Sequence, residues 1–135
     1  MTKFRRIREI LLACPDVRLA YVFGSAAQGK EQAASDVDLG VLFTYSPDAA
    51  ALQRLTSDLE TAAGRSVDLV LLANAPPHLA HEIITRGDIL VFRDDSERVR
   101  FEARVTARYL DTRYLRRVQL MYLRERIETR RVAST

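Results

Sequence analysis

The chain reads as an α/β layer domain with a small mixed β-sheet flanked by helices and a long C-terminal helix. Four short β-rich runs, Val17–Phe23, 36–45, 66–72 and Asp88–Phe92, supply the strands. Stretches with helical spacing precede or separate them, giving the order α-β-α-β-α-β-α-β-α. Finally, residues 94–129 contain neither proline nor glycine, so a single uninterrupted helix closes the chain.

Phe4, Ile7, Ile10 and Leu11 share one face of a helix over 3–13, and Pro15 lies just past its end. The run VRLAYVF (Val17–Phe23) is a buried strand. Gly24-Ser25 turns the chain, a short helix is expected over 25–28, and the small polar residues 29–35 form a loop. Residues 36–45 make the second strand. Ser46-Pro47-Asp48 starts a helix that carries Leu52, Leu55 and Leu59 on one side and stops at Gly64. The third strand covers 66–72. Pro76-Pro77 opens another helix to about Thr85, and Arg86-Gly87-Asp88 leads into the fourth strand. On the last helix, Val99, Ala103, Ala107, Leu110, Tyr114, Val118 and Met121 form one stripe, and Phe101, Val105 and Tyr109 begin another. Two stripes exceed what one packing face requires.

At 135 residues, with 47% apolar and 29% charged side chains, the chain can bury a core without staples. Cys14 is its only cysteine, which excludes an intrachain disulfide and suits a reducing compartment. MTKFRRIREI lacks the apolar centre of a signal peptide, and no apolar run approaches the ~18 residues of a membrane span. A cytoplasmic protein is therefore expected. The net charge of +3 is uneven: residues 1–92 hold 9 basic and 11 acidic side chains, residues 93–135 hold 12 and 7. All twelve of those basic residues are arginines. Nucleic-acid binding ranks low, because aromatics are few, no reading motif occurs and the first part is acidic. His78 and His81 lack companions for a metal set, and no Ser-His-Asp or Cys-His grouping is visible.

The chemistry concentrates in three aspartates and one turn. In Asp36-Val37-Asp38, residues two apart on a strand point to one face about 7 Å apart, a spacing that suits carboxylates sharing divalent cations. Asp68 is the lone charge in the apolar run 66–72, and an unpaired buried carboxylate is costly, so it calls for a cation or a donor. Gly24 allows a phosphate to approach the backbone where a helix begins, and the Ser25 hydroxyl adds a donor. Lys30 could add a phosphate contact, although an exposed loop lysine explains it as well.

Gly24-Ser25, ten residues, Asp36-x-Asp38, then an aspartate in a later strand resembles the signature of minimal nucleotidyltransferase (MNT) domains of the DNA polymerase β-like superfamily. FGSAAQGKEQAASDVDLGVLF matches that signature and SVDLVLL its third-aspartate strand, over roughly residues 15 to 93. The resemblance implies the nucleotidyltransferase fold, with a nucleotidyltransferase domain over 1–93 and a helical extension over 94–135. It implies Mg²⁺, two ions, held by Asp36, Asp38 and Asp68 as the catalytic set, and ATP as donor held at Gly24 and Ser25. Stand-alone proteins of this size resemble the antitoxins of HEPN–MNT toxin–antitoxin pairs, which implies AMP transfer to a tyrosine of a HEPN ribonuclease toxin. Two alternatives stand beside that reading. One is a non-catalytic antitoxin that masks the toxin with its C-terminal helix. The other is an aminoglycoside-type adenylyltransferase, a class that usually carries a further substrate-binding domain where this chain has one helix. That helix could pack on its own domain, in a homodimer or on a partner.

Overall fold

A computed structural model describes residues 4–24 and 36–133. Within them run α1 (Arg5–Leu12), β1 (Val17–Phe23), β2 (Val37–Phe43), α2 (Ala49–Ala63), β3 (Val67–Leu71), α3 (Pro77–Arg86), β4 (Asp88–Phe92) and α4 (Asp95–Ala133). One 3-10 turn, Leu72–Asn74, joins β3 to α3. The short helix and loop expected between Ser25 and Ser35 lie outside the described residues.

The strands form one sheet in the order β3-β2-β1-β4. β1 is antiparallel to both β2 and β4, whereas β2 and β3 are parallel, so the sheet is mixed. Parallel neighbours cannot be joined by a tight turn, and α2 provides the crossover between them. Asp48 accepts the Ala51 N–H at 2.7 Å to start that helix, and Gly64, at φ +70°, ends it.

Helices cover both faces. On one, Ile7 and Leu11 of α1 and Leu55 and Leu59 of α2 pack on Val22, Leu39 and Val41. On the other, Ala80 and Ile83 of α3 and Phe101 and Val105 of α4 pack on Leu19 and Tyr21. Gly40 makes the second layer close: a Cβ there would stand 3.1 Å from both Ile83 Cγ2 and Leu72 Cδ2. The glycine lets α3 lie directly against the middle of β2.

The two stripes expected on α4 part company. Phe101 and Val105 are buried, and Tyr109 stacks on His81 with ring centroids 3.9 Å apart, so the shorter stripe is the core-facing one. Val99, Leu110, Tyr114, Val118 and Met121 of the longer stripe remain in solvent. The first turns of α4 are also held by polar contacts. The hydroxyl of buried Tyr21 donates to Glu102 at 2.7 Å, Arg98 pairs with Asp95 and Glu102, and Arg18 makes two bonds to Glu97. Arg93, just before α4, donates to the carbonyls of Leu12, Cys14 and Val17 and so caps the end of α1.

Candidate active site

Register brings the aspartates together. β1 and β2 are antiparallel with Phe23 opposite Asp38, so the turn at Gly24 lies beside the start of β2. β2 and β3 are parallel with Asp38 opposite Asp68. Directly paired residues on neighbouring strands point to the same face, about 4.8 Å apart along the hydrogen-bonding direction. Val37, Leu39 and Val67, one residue to either side, are buried under α1 and α2. Alternation therefore turns both carboxylates to the α3 and α4 side. Asp36 precedes β2 by one residue and is exposed. Gly24 has φ +74°, and a Cβ built on it would collide with Asp38 Oδ2. Two requirements, left-handed backbone and close approach, thus fall on one glycine.

Electrostatics follow from this geometry. Burial pushes the Asp38 carboxyl above its ordinary value, and repulsion from Asp68 and then from Asp36 pushes it the same way. Asp38 is the half-buried member of the set. Asp68 departs from the sequence reading, which treated it as a buried carboxylate in an apolar run: it is exposed. The reason is strand order. β3 is an edge strand, and its residues after Val67 are at most partly covered, so a charge at position 68 reaches water without penalty.

Carboxylate oxygens are the donors a hard divalent cation takes, and the Asp38 carboxyl, whose ionisation Asp68 and Asp36 both oppose, is the group such a cation would relieve most. Among the described residues, no group of three His, Cys, Asp or Glu side chains is arranged so that it could hold a metal ion by itself. A cation held at Asp38 and Asp68 would take most of its remaining ligands from water and phosphate oxygens. Of the residues singled out from the sequence, Gly24, Asp36, Asp38 and Asp68 are brought together, while Ser25 and Lys30 lie outside the described residues. Gly40 was not singled out, although a glycine inside the strand pattern 36–45 signals a close approach. Tyr21 and Glu102 are a second omission, and no local signal links residues that far apart.

A mixed sheet that gathers aspartates from two parallel strands beside a glycine turn is a scaffold for nucleotide transfer. The chain belongs to the polymerase beta nucleotidyltransferase family, whose sequence profile matches residues 5–96. It is similar to the protein adenylyltransferase MntA of Shewanella oneidensis, with 37% identity over 73 residues, 54% of this chain and 52% of MntA. The matched stretch thus spans about half the length of that relative. A second relative, from Methanocaldococcus jannaschii and provisionally named a protein adenylyltransferase, is 33% identical over 87 residues, covering 64% of this chain and 92% of the relative. Among solved structures, a chain of a toxin–antitoxin crystal structure with AMP-PNP superposes with a TM-score of 0.76 at 27% identity. The match covers 91% of this chain and 98% of that one.

Proposed function

We propose that this protein is a Mg²⁺-dependent protein adenylyltransferase and the antitoxin of a HEPN–MNT pair, moving AMP from ATP to a tyrosine of a HEPN ribonuclease toxin. The observation that carries the reading is the in-register pair Asp38 and Asp68 beside Gly24, with Asp36 adding to the charge. The relatives support a protein acceptor, because two bear the name of protein adenylyltransferases and a third is a toxin–antitoxin complex holding an ATP analogue. Residues 1–93 form the transferase domain in this reading and 94–135 its helical extension.

Asp36, Asp38 and Asp68 would hold the two Mg²⁺ ions, which neutralise charge on the attacking and leaving oxygens. Gly24, with no side chain, leaves its backbone open to the triphosphate, and Ser25 adds a hydroxyl donor. Asp68 lies on the exposed edge strand, where a hydroxyl carried by a macromolecule can arrive. As that oxygen bonds to the α-phosphorus, its proton passes to the Asp68 carboxylate. The bond from the α-phosphorus to the bridging oxygen breaks, and pyrophosphate leaves. Rate comes chiefly from positioning and charge neutralisation.

Incubation with α-labelled ATP, Mg²⁺ and the toxin should label the toxin, and Asp36→Ala or Asp38→Ala should abolish the label. Label that persists in either variant refutes these roles. The exposed apolar side chains of α4 favour one second reading, a binding antitoxin. In that case the aspartate variants would still neutralise the toxin, whereas truncation after Asp111 would not.

A further inference from the structure

Arg86 closes α3, and a cation in the last turn of a helix is stabilised by the free carbonyls there. Any direction of the side chain would serve that role, yet the direction found is specific. Successive helix residues turn by about 100°. His81 stacks on Tyr109 of α4, and Arg86, five residues later, lies about 140° round from it, on the flank of α3 turned away from α4. The first turns of α4 are fastened over β1 through Tyr21–Glu102 and Arg18–Glu97, whereas α3 rests on β2 where Ile83 meets Gly40. In the sheet order β3-β2-β1-β4, the flank of α3 away from α4 therefore overlooks β2 and β3, which carry Asp38 and Asp68.

The level along the strands agrees with that direction. Gly87 seats the last turn of α3 on the end of β1: a Cβ there would stand 2.5 Å from the Ile83 carbonyl oxygen, 2.9 Å from that of Val22 and 3.3 Å from the Phe23 Cβ. Phe23 is opposite Asp38, Asp38 is opposite Asp68, and Gly24 follows Phe23. Arg86 is thus one residue from the contact that holds the Gly24 turn, and level with the row of carboxylates. Its side chain is exposed and makes no ion pair among the described residues. Around Asp38, burial, Asp68 and Asp36 all oppose ionisation, and no cation offsets them. The guanidinium and the carboxylates therefore flank the Gly24 turn without meeting. A triphosphate with its cations needs that arrangement, metal ligands on one side and a bidentate donor on the other.

We propose that Arg86 is a further catalytic residue of the transfer, its guanidinium binding the β- and γ-phosphates of the donor nucleotide and neutralising the leaving pyrophosphate. This rests on the adenylyltransferase reading and deepens it. The bond from the α-phosphorus to the bridging oxygen breaks, and its electron pair stays with pyrophosphate. Arg86 stabilises that charge in place and keeps its own proton, as a guanidinium does throughout the accessible pH range. Its planar fork can meet two phosphate oxygens at once, which a lysine cannot do.

The test uses the full chain with Arg86→Ala and Arg86→Lys, and the HEPN toxin as acceptor. Affinities for ATP, inorganic pyrophosphate and AMP are measured by calorimetry in Mg²⁺, and transfer from α-labelled ATP is followed at varied ATP. Arg86→Ala should weaken ATP and pyrophosphate about 10- to 100-fold, as loss of a charged hydrogen-bond partner does, and leave AMP unchanged. Its kcat should fall about 100- to 1,000-fold. Arg86→Lys keeps the charge without the fork and should recover part of both losses. A role confined to the helix end would lower the melting temperature and move all three affinities alike. ATP and pyrophosphate affinities of Arg86→Ala within about threefold of wild type overturn the proposal, as does an equal loss of AMP affinity. A wild-type chain that binds ATP and pyrophosphate but never labels the toxin refutes the adenylyltransferase reading, and the three affinities still judge Arg86.

Discussion

Replacing Gly24 by alanine should separate activity from stability, and the structure supplies the control. At φ +74° an L-residue costs about 1–2 kcal/mol in the left-handed region. The new Cβ would also collide with Asp38 Oδ2, so the carboxylate must leave its position, at about 0.5–1.5 kcal/mol if it is driven off its rotamer. The total is about 1.5–3.5 kcal/mol, within the typical stability of a domain. For 135 residues that lowers Tm by roughly 6–14 °C, at about 4 °C per kcal/mol. Misplacing a reacting group by ~1 Å costs about 100-fold in rate, so transfer should fall about that much at temperatures where the variant is fully folded. Gly64 has nearly the same backbone, φ +70°, and nothing within 4 Å of the added Cβ. Gly64→Ala should therefore lose about 1–2 kcal/mol with no change in transfer. Melting followed by circular dichroism gives the stabilities, and transfer from α-labelled ATP well below both midpoints gives the rates. The reasoning fails if Gly24→Ala transfers AMP within about threefold of wild type, or if Gly64→Ala loses as much activity as Gly24→Ala.

Asp38→Asn removes the charge that burial, Asp68 and Asp36 all oppose, so without divalent metal it should melt above wild type while losing transfer; a lower midpoint contradicts the repulsion. Burial, and then the hydrogen bond to Glu102, hold the Tyr21 hydroxyl in its protonated form well above the ordinary value of 10.0. Its contribution to stability is therefore complete below pH 10 and lost as pH rises beyond it, and Tyr21→Phe should flatten that alkaline limb and cost about 1–2 kcal/mol at neutral pH in urea titrations. Phe101→Ala should cost about 3–4 kcal/mol because that ring is buried between the sheet and α3. Leu120→Ala, on the projecting part of the same helix, should fall within about 0.5 kcal/mol in the isolated chain. Equal costs at those two positions would mean that the far half of α4 packs on its own domain.

Much of this fold was legible because its signals are local. β1, α2 and β4 begin and end where the runs of β-branched residues, Asp48, Gly64 and Asp88 place them. The spacing from Gly24-Ser25 through Asp36-x-Asp38 to Asp68 is likewise a property of the chain, and it pointed to the turn and carboxylates that the sheet gathers. Local patterning falls short where two segments must choose each other. Two stripes on α4 looked alike in sequence, and only the position of the sheet decides that Phe101 and Val105 face inward while Tyr114 and Val118 do not.

By itself, then, the sequence determined which segments are helices and strands, which faces are apolar and which residue types could handle a nucleotide, since each depends on neighbours a few positions apart. The tertiary structure alone decided that Asp68 stands opposite Asp38 and is open to water, that Tyr21 meets Glu102, and that Arg93 closes α1. Those outcomes depend on strand order and register, which come from packing between residues far apart along the chain, and no short-range pattern encodes them.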